Sequence, residues 1–339
     1  MNIRQIALLC GVSTATVSRV INNSPSVSAV TREKVLGVME REGYVPNAFA
    51  GGFGRNALKI VGILCADIAN LYYAGAVSLL ERELRARGID TLLCCTGYGQ
   101  EDKKEALTAL VRKRVDAVIL VGSAYREERD NTHIREAARQ IPVFMLNAHV
   151  QIPNVFCILC DEREAISATV RRLAAAGRRA ILYIHDMDKW AWAGTQKLAG
   201  YRDGLEECGL EEDSRLIRFV NSAGNDMQAA QKLVEELLRS GLEFDSILAS
   251  EDVLAIGAQK AMFSKRRSVP IIGFNNSQLA LCCTPSLTSI DNMLSVICPM
   301  AVEMLEKLLG GDGIPSKVVV SGALVERETF RACAEPGEG

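Results

Sequence analysis

From Lys59 onward, short apolar runs alternate with segments of helical periodicity, and this alternation limits the fold more than any other feature. The run LKIVGILCADI is β-branched, apolar and followed by turn residues. Such a run predicts a strand that is buried on both faces of a parallel sheet. The next segments predict a helix at about 73–87, a strand at 90–95, a helix at 100–113, a strand at 116–121, a helix at 132–139 and a strand at 143–146. Strands that alternate with helices of this length indicate a doubly wound parallel sheet.

The same pattern restarts near Asp161 and predicts a second α/β unit. A helix through residue 173 leads to a strand in AGRRAILYIH, and a helix containing LAGYRDGLEECGL leads to a strand in LIRFVN. A helix to 239, a strand in FDSILAS, a helix at 252–263 and a strand in VPIIGF follow. After LTSID, a helix at 293–309 and one strand at 317–324 end the pattern. We therefore expect an α/β fold with two lobes.

Residues 3–22 predict two short helices joined by a tight turn. Gly11 lies where the chain must turn, and glycine tolerates a left-handed backbone there. Ser13 is a suitable N-cap for the second helix, which buries Val17 and Val20 on one face. The other face carries small, polar or cationic side chains: Thr14, Ala15, Ser18, Arg19 and Asn22. This face suits a DNA major groove, although an ordinary helical hairpin has the same pattern.

Three motifs in the first 48 residues resemble the DNA-binding headpiece of the LacI–GalR repressor family. They are TVSRVIN, VSAVTREKV and GYVPN, in the family's order and spacing. The VSAVTREKV segment predicts a third helix at 28–42, with Val30, Val35, Val38 and Met39 facing inward. The resemblance implies an all-α helix-turn-helix domain at 1–46, a hinge at 47–58 and a two-lobed, type I periplasmic-binding-protein-like domain at 59–330. It also implies lobe crossovers near 160, 291 and 322, and we expect a disordered tail at 331–339.

The resemblance places the DNA contacts in the headpiece and the hinge. The candidates are Asn2, Ser13, Thr14, Ala15, Thr16, Ser18, Arg19, Asn22, Thr31, Tyr44, Asn47, Ala50 and Phe53. In the family, the hinge becomes helical on the operator and inserts an apolar wedge into the minor groove, a position that Phe53 occupies here. Glycines 51, 52 and 54 surround Phe53, and each costs about 0.5–1 kcal/mol in a helix interior relative to alanine. We therefore expect this hinge to order less readily than that of its relatives.

Ligands of open α/β sheets bind beyond the carboxyl ends of the strands, so the effector candidates follow the predicted strands. They are Asp67, Asn70, Tyr72, Tyr73, Asn147, Trp190, Trp192, Lys197, Glu251 and Asn275. A tryptophan can stack on a sugar face, or it can simply cover the edge of the lobe, and the sequence leaves both roles open for Trp190 and Trp192.

Several of these positions depart from the family's pattern. Lys197 stands where relatives carry an arginine, so the cation is kept but the bidentate fork is lost. Glu251-Asp252 replaces an Asn-Asp pair, and Asn275-Asn276 replaces an Asp-Asp pair. A polyol would still find both hydrogen-bond donors and acceptors, but the specificity must differ from that of such relatives.

Charge, cysteine content and hydropathy indicate the compartment and the kind of partner of the protein. The net charge is −2, but residues 1–55 carry six Lys or Arg against three Glu, which leaves an anionic body. A cationic head on an anionic body orients the head toward DNA. Eleven cysteines without a disulfide framework indicate a reducing compartment, and Cys157 and Cys160 should point to opposite faces of a strand rather than bind metal. With no signal peptide or membrane span in the sequence, we expect a cytoplasmic protein.

These observations favour a DNA-binding repressor over three other classes. We expect a homodimer that binds palindromic double-stranded operator DNA and a small carbohydrate effector, with no cofactor, metal or membrane partner. The alternative is a DNA-binding regulator with a degenerate cleft that is controlled by a protein partner. A transporter's solute-binding protein would need a signal peptide, and an enzyme would need a nucleophile–base pair, phosphate loop or metal site that the sequence does not contain.

Overall fold

The computed structural model describes residues 3–21, 26–41, 60–127, 130–186, 192–220 and 227–331. The first two ranges form three helices: α1 (Ile3–Cys10), α2 (Thr14–Ile21) and α3 (Ala29–Arg41). Their shared core consists of Ile6, Ala7, Cys10, Val17, Val20, Val35, Val38 and Met39. The predicted all-α helix-turn-helix headpiece is therefore confirmed.

Val30 was predicted to belong to this core, and that prediction is wrong because its side chain is 79% exposed. The reason is helical phase. At about 100° per residue, Val30 lies roughly 140° around the helix from Val35, whereas Val38 and Met39 lie within about 60° of Val35. Apolar character alone did not place Val30 on the inward face.

The first lobe is built on a six-stranded sheet with the order β11-β5-β4-β3-β1-β2. Its strands are β1 (Ile60–Cys65), β2 (Asp90–Cys95), β3 (Ala117–Val121), β4 (Val143–Leu146), β5 (Val155–Asp161) and β11 (Lys317–Ser321), all paired in parallel. The helices of this lobe are α4 (Leu71–Arg85), α5 (Gln100–Arg112), α6 (Thr132–Ala138) and α12 (Leu294–Leu309). Two separate apolar clusters cover the two faces of the sheet, as the continuous apolar strands require.

The second lobe repeats this plan with the sheet order β12-β10-β9-β8-β6-β7. Its strands are β6 (Ile181–Asp186), β7 (Ile217–Val220), β8 (Ser246–Ala249), β9 (Ile271–Phe274), β10 (Thr288–Asp291) and the antiparallel β12 (Ala323–Val325). Its helices are α7 (Glu162–Ala175), α8 (Trp192–Glu207), α9 (Met227–Arg239), α10 (Asp252–Ser264) and α11 (Gln278–Cys282). The predicted α/β fold with parallel sheets in two lobes is confirmed.

The chain passes between the two sheets after β5, after β10 and between β11 and β12. The single strand predicted at 317–324 is therefore wrong: it is two strands, in different sheets, broken at Gly322. A Cβ on Gly322 would lie 2.9 Å from Ala165 Cβ, 3.1 Å from Cys160 Sγ and 3.2 Å from the Asp291 carbonyl oxygen. Residues of the three crossovers thus meet at one point, where only glycine fits closely.

Two further features concern metal binding by cysteines and membrane insertion. Cys157 belongs to one apolar cluster of the first lobe and Cys160 to the other, so their thiols lie on opposite sides of β5, as strand alternation predicts. Within the described ranges, no helix combines the length and the apolar character needed to cross a membrane.

Replacing Gly200 with alanine should destabilise the protein by about 1–3 kcal/mol, because it overfills the contact between α7 and α8. A Cβ at this position would overlap the backbone carbonyl oxygen of Arg163, which cannot rotate away as a side chain could. Gly75 in α4 is the matched control, since its added Cβ would meet only Leu294 Cδ1 at 3.9 Å. Gly75→Ala should instead stabilise by about 0.5–1 kcal/mol through helix propensity. Urea unfolding of both variants measures the difference, and equal stabilities would contradict this account.

Candidate functional site

The second helix of the headpiece, α2, presents an exposed polar face that the local capping interactions fix in place. Gly11 adopts φ +61°, and its N–H donates to the Leu8 carbonyl oxygen at 3.1 Å, which ends α1. The Ser13 hydroxyl then accepts the Thr16 N–H at 3.1 Å and caps α2. The predicted N-cap therefore forms, and it sets the angle at which α2 leaves the turn.

The predicted base-reading residues lie on the face of α2 opposite the core. Thr14, Ala15 and Arg19 are exposed, whereas Val17 and Val20 are buried. Thr16 and Ser18 are half-buried at the border. On α3, the half-buried Thr31 donates its N–H to the Ser28 hydroxyl at 3.3 Å, so Ser28 is the expected N-cap. The remaining candidates lie outside the described residues: Asn2, Asn22, Tyr44, Asn47, Ala50 and Phe53.

On the first lobe, Asn70, Tyr72 and Asn147 lie beyond the carboxyl ends of β1 and β4. Asn70 caps α4 by accepting the Tyr72 N–H at 2.8 Å. Asn147 donates its amide to the Tyr72 hydroxyl at 3.0 Å and accepts the Cys160 N–H at 2.8 Å. Asn147 adopts φ +53°, a conformation that asparagine tolerates better than most residues. Its side chain therefore links two neighbouring strands and holds Tyr72 at the rim of the cleft.

On the second lobe, Lys197 is a buried cation with three close neighbours. It is 8% exposed, and its Nζ donates to the Ser250 carbonyl oxygen at 3.2 Å. The same Nζ lies 3.9 Å from Glu162 Oε1 and 4.0 Å from the centroid of the Phe274 ring. Glu162 is 5% exposed, and its other carboxylate oxygen has no hydrogen-bond partner among the described residues. Burial raises the pKa of Glu162, and the positive charge of Lys197 opposes that shift.

Glu251 lies where the second lobe approaches the first. It follows β8 directly before α10, and the Asn70 side chain of the first lobe lowers the pKa of Glu251, by less than burial and the neighbouring charges shift it. Burial, followed by the negative charge of Asp186, raises the pKa of Glu251 to about 8. The charge of Lys197 lowers it, but by less. Near neutral pH this carboxyl group is therefore largely protonated and able to donate as well as accept.

Trp192 forms a second contact between the lobes. It begins α8 in the second lobe, yet its ring packs against an apolar cluster of the first lobe. The guanidinium carbon of Arg126 lies 5.7 Å from the centroid of that ring, within cation–π distance. Of the two roles left open by the sequence, covering the edge of the lobe agrees better with this packing. Trp190 lies outside the described residues.

The other predicted effector residues have different surroundings. Asp67 is exposed, and its carboxylate accepts the Ala69 N–H at 2.9 Å. Tyr73 is 7% exposed and lies in the core of the first lobe. Asn275 accepts the side-chain amide of Asn292 at 2.8 Å, beside the crossover that follows β10. The structure thus brings together Asn70, Tyr72, Asn147, Lys197 and Glu251, through direct contacts or through shared neighbours.

Sequence reasoning missed Glu162, Asp186 and Arg126. Asp186 ends β6, so the strand-end rule could have found it. Burial has the largest single effect and would raise the pKa of Asp186, but the hydrogen bond from His185 at 2.7 Å, together with the electrostatic attraction of His185 and Lys197, lowers the pKa overall. Glu162 directly follows β5, so the same rule could have found it, whereas Arg126 follows β3 only after four intervening residues, and no residue pattern singles it out.

A helix-turn-helix headpiece and two α/β lobes with polar groups converging between them define a DNA-binding regulator with a ligand-binding-type domain. Residues 2–47 match the model of the bacterial regulatory proteins of the lacI family, and residues 58–303 match that of the periplasmic binding proteins and sugar binding domain of the LacI family. The chain belongs to the LacI family of transcriptional regulators. The predicted family is therefore confirmed.

Curated relatives and solved structures agree with this assignment. An HTH-type transcriptional regulator of Lachnoclostridium phytofermentans is 41% identical, over 97% of this chain and 99% of that protein. The transcriptional regulator CelR, solved as a complex with cellobiose, is 25% identical and has a TM-score of 0.69 over 97% of this chain and 100% of that one. The lac repressor bound to ONPG has the same fold, with a TM-score of 0.73, 23% identity and coverage of 97% and 99%. These relatives are regulators rather than enzymes.

Proposed function

We propose that the protein is a homodimeric repressor that binds a palindromic operator through its headpieces and answers to a carbohydrate in the cleft between its lobes. The proposal includes the domain division given above, with residues 47–58 as the hinge between the headpiece and the lobes. A helix-turn-helix headpiece reads one half-site, so a palindrome needs two headpieces related by a two-fold axis. A lac repressor dimer has been solved on its operator, which supports the same arrangement here.

The single observation that carries the effector proposal is the approach of Glu251 to Asn70. Glu251 follows β8 in the second lobe and Asn70 caps α4 in the first, close enough for Asn70 to lower the pKa of Glu251. Any molecule that competes for these two side chains therefore also acts between the lobes. Tyr72 and Lys197 add a hydroxyl and an ammonium group to the same region. This mixture of donors and acceptors suits a polyol, and the cellobiose complex of CelR supports a carbohydrate.

Two experiments test the proposed function. Sedimentation with a duplex that contains the operator should show two chains per palindrome at micromolar concentration, and one chain per palindrome would contradict it. A thermal-shift screen with mono- and disaccharides, including cellobiose, should identify a ligand that stabilises the protein. A ligand at 100 times its Kd adds about 2.7 kcal/mol. If no carbohydrate raises the unfolding temperature, the carbohydrate proposal fails and control by a protein partner takes its place.

Replacing Arg19 with alanine should weaken operator binding by about 1–3 kcal/mol and relax the preference at one base pair. The reason is that Arg19 is exposed on the face of α2 and is long enough for a bidentate contact with guanine. Lys34→Ala, which removes an exposed cation from α3, is the control and should change no base preference. Binding of both variants to an operator library at fixed salt decides the matter. An equal loss on every sequence would make Arg19 a phosphate contact.

A further inference from the structure

Two cysteines lie opposite each other where the first two strands of the first lobe end. Cys65 and Cys95 are paired in the register of β1 and β2, so their side chains project from the same face of the sheet. Their Sγ atoms are 3.7 Å apart. Neighbouring strands are about 4.7–4.9 Å apart, and a disulfide usually joins Cα atoms separated by about 4.4–6.8 Å. The backbone thus allows a disulfide after only a small side-chain rotation.

The two thiols differ in their access to solvent. Cys65 is buried and Cys95 is exposed. Burial, with smaller contributions from the adjacent Cys95 thiol, raises the pKa of Cys65 to about 12, so Cys65 remains a thiol near neutral pH. An oxidant therefore reaches Cys95 first, and Cys65 is placed to resolve the product. Cys94, the sequence neighbour of Cys95, projects from the other face of β2 and packs against a different cluster from Cys65.

We propose that Cys65 and Cys95 form a reversible disulfide, which makes the rim of the first lobe a site of oxidation by hydroperoxides or small-molecule disulfides. With a hydroperoxide, the Cys95 thiolate attacks the outer oxygen, and the O–O bond breaks to give a sulfenic acid and an alcohol or water. The Cys65 sulfur then attacks the Cys95 sulfur, the S–O bond breaks and water leaves with the Cys65 proton. The two thiols lose two electrons, and the hydroperoxide gains them.

This disulfide would join the ends of β1 and β2, just before the turn that carries Asp67 and Asn70. The two segments that leave β1 and β2 are already joined there, since the Thr96 N–H donates to the Cys65 carbonyl oxygen at 3.0 Å. The Gly97 N–H donates to the Ala66 carbonyl oxygen at 2.7 Å. A covalent link at the root of these segments fixes their separation at the edge of the cleft. The oxidation site is independent of the proposed effector and does not require that the cleft binds a sugar.

The test uses the full chain, treated with hydrogen peroxide or glutathione disulfide and then alkylated and digested with trypsin. Cys65 lies in the peptide 60–82, and Cys94 and Cys95 lie in the peptide 88–103. We expect these peptides to be joined, with the loss of two hydrogen atoms, and to separate after treatment with dithiothreitol. A Cys94–Cys95 link within one peptide, or no link under excess oxidant, would overturn the proposal.

Two variants identify the sulfur atoms and control for random pairing. Cys95→Ser changes an exposed residue and should abolish the linked peptides while leaving the circular dichroism spectrum unchanged. Cys94→Ser is the matched control and should retain the link at the parent level. Retention of the link in Cys95→Ser, or its loss in Cys94→Ser, would assign the reaction to Cys94 and reject the pairing.

Discussion

Replacing Lys197 with methionine should destabilise the protein by about 3 kcal/mol at neutral pH, the lower end of the range for breaking a buried ion pair. Methionine keeps much of the side-chain volume beside the Phe274 ring but removes the charge that faces Glu162. The buried Glu162 carboxylate then has no nearby cation among the described residues. We expect the lower end of that range because burial already raises the pKa of Glu162. Once the charge of Lys197 is gone, Glu162 can take up a proton and become neutral, which reduces the loss of stability.

A double-mutant cycle with Glu162→Gln isolates this interaction. Glutamine is nearly the same size and carries no charge, so Lys197→Met should cost much less when Glu162 is already glutamine. Guanidinium unfolding of the parent, both single variants and the double variant supplies the four stabilities. If the two single losses simply add, Lys197 and Glu162 do not interact, and the loss must come from the Ser250 hydrogen bond or from packing.

This pair shows why sequence reasoning found only part of the site. Lys197 was found because the segment Lys197–Tyr201 matches a helix motif of the family in which an arginine takes this position. Glu162 was missed because its partner is distant in the chain, and the two meet only through the crossover after β5 and the close packing of α7 on α8. Local patterns predict where a strand ends, but not which buried groups of different elements will meet there.

Asn147 shows the same limit for a residue that sequence reasoning did find. The strand-end rule gave its position correctly, but not that its side chain joins the Cys160 N–H and the Tyr72 hydroxyl. That arrangement depends on the pairing of β4 with β5, which the sequence does not encode locally. Similarly, the apolar run at 317–324 gave one strand by local pattern; only the family resemblance placed a crossover near 322, and the reason for it, three crossovers that meet at Gly322, lies in the tertiary structure.

The parent protein should lose stability as the pH rises from about 4.5 to about 8. Replacing Glu251 with glutamine should remove this loss. The pKa of Glu251 is raised from 4.5 to about 8 in the folded protein, so between these values the folded state holds a proton that the unfolded state has released. A state that binds more protons loses stability as the pH rises, with a slope of at most about 1.4 kcal/mol per pH unit for one group. Below pH 4.5 and above pH 8 this contribution is constant.

Glutamine mimics the protonated carboxyl group at every pH and has nearly the same size. Parent and Glu251→Gln should therefore be similarly stable near pH 4, and the variant should become progressively more stable than the parent up to pH 8. Urea unfolding at intervals of pH measures this difference, which cancels the titration of all other groups if they are unaffected. Asp291→Asn, at a half-buried carboxylate beside the crossover that follows β10, serves as the comparison variant. A stability difference between parent and Glu251→Gln that stays constant from pH 4 to pH 8 would mean that Glu251 is ionised throughout and faces Asn70 as a charged rather than a neutral group.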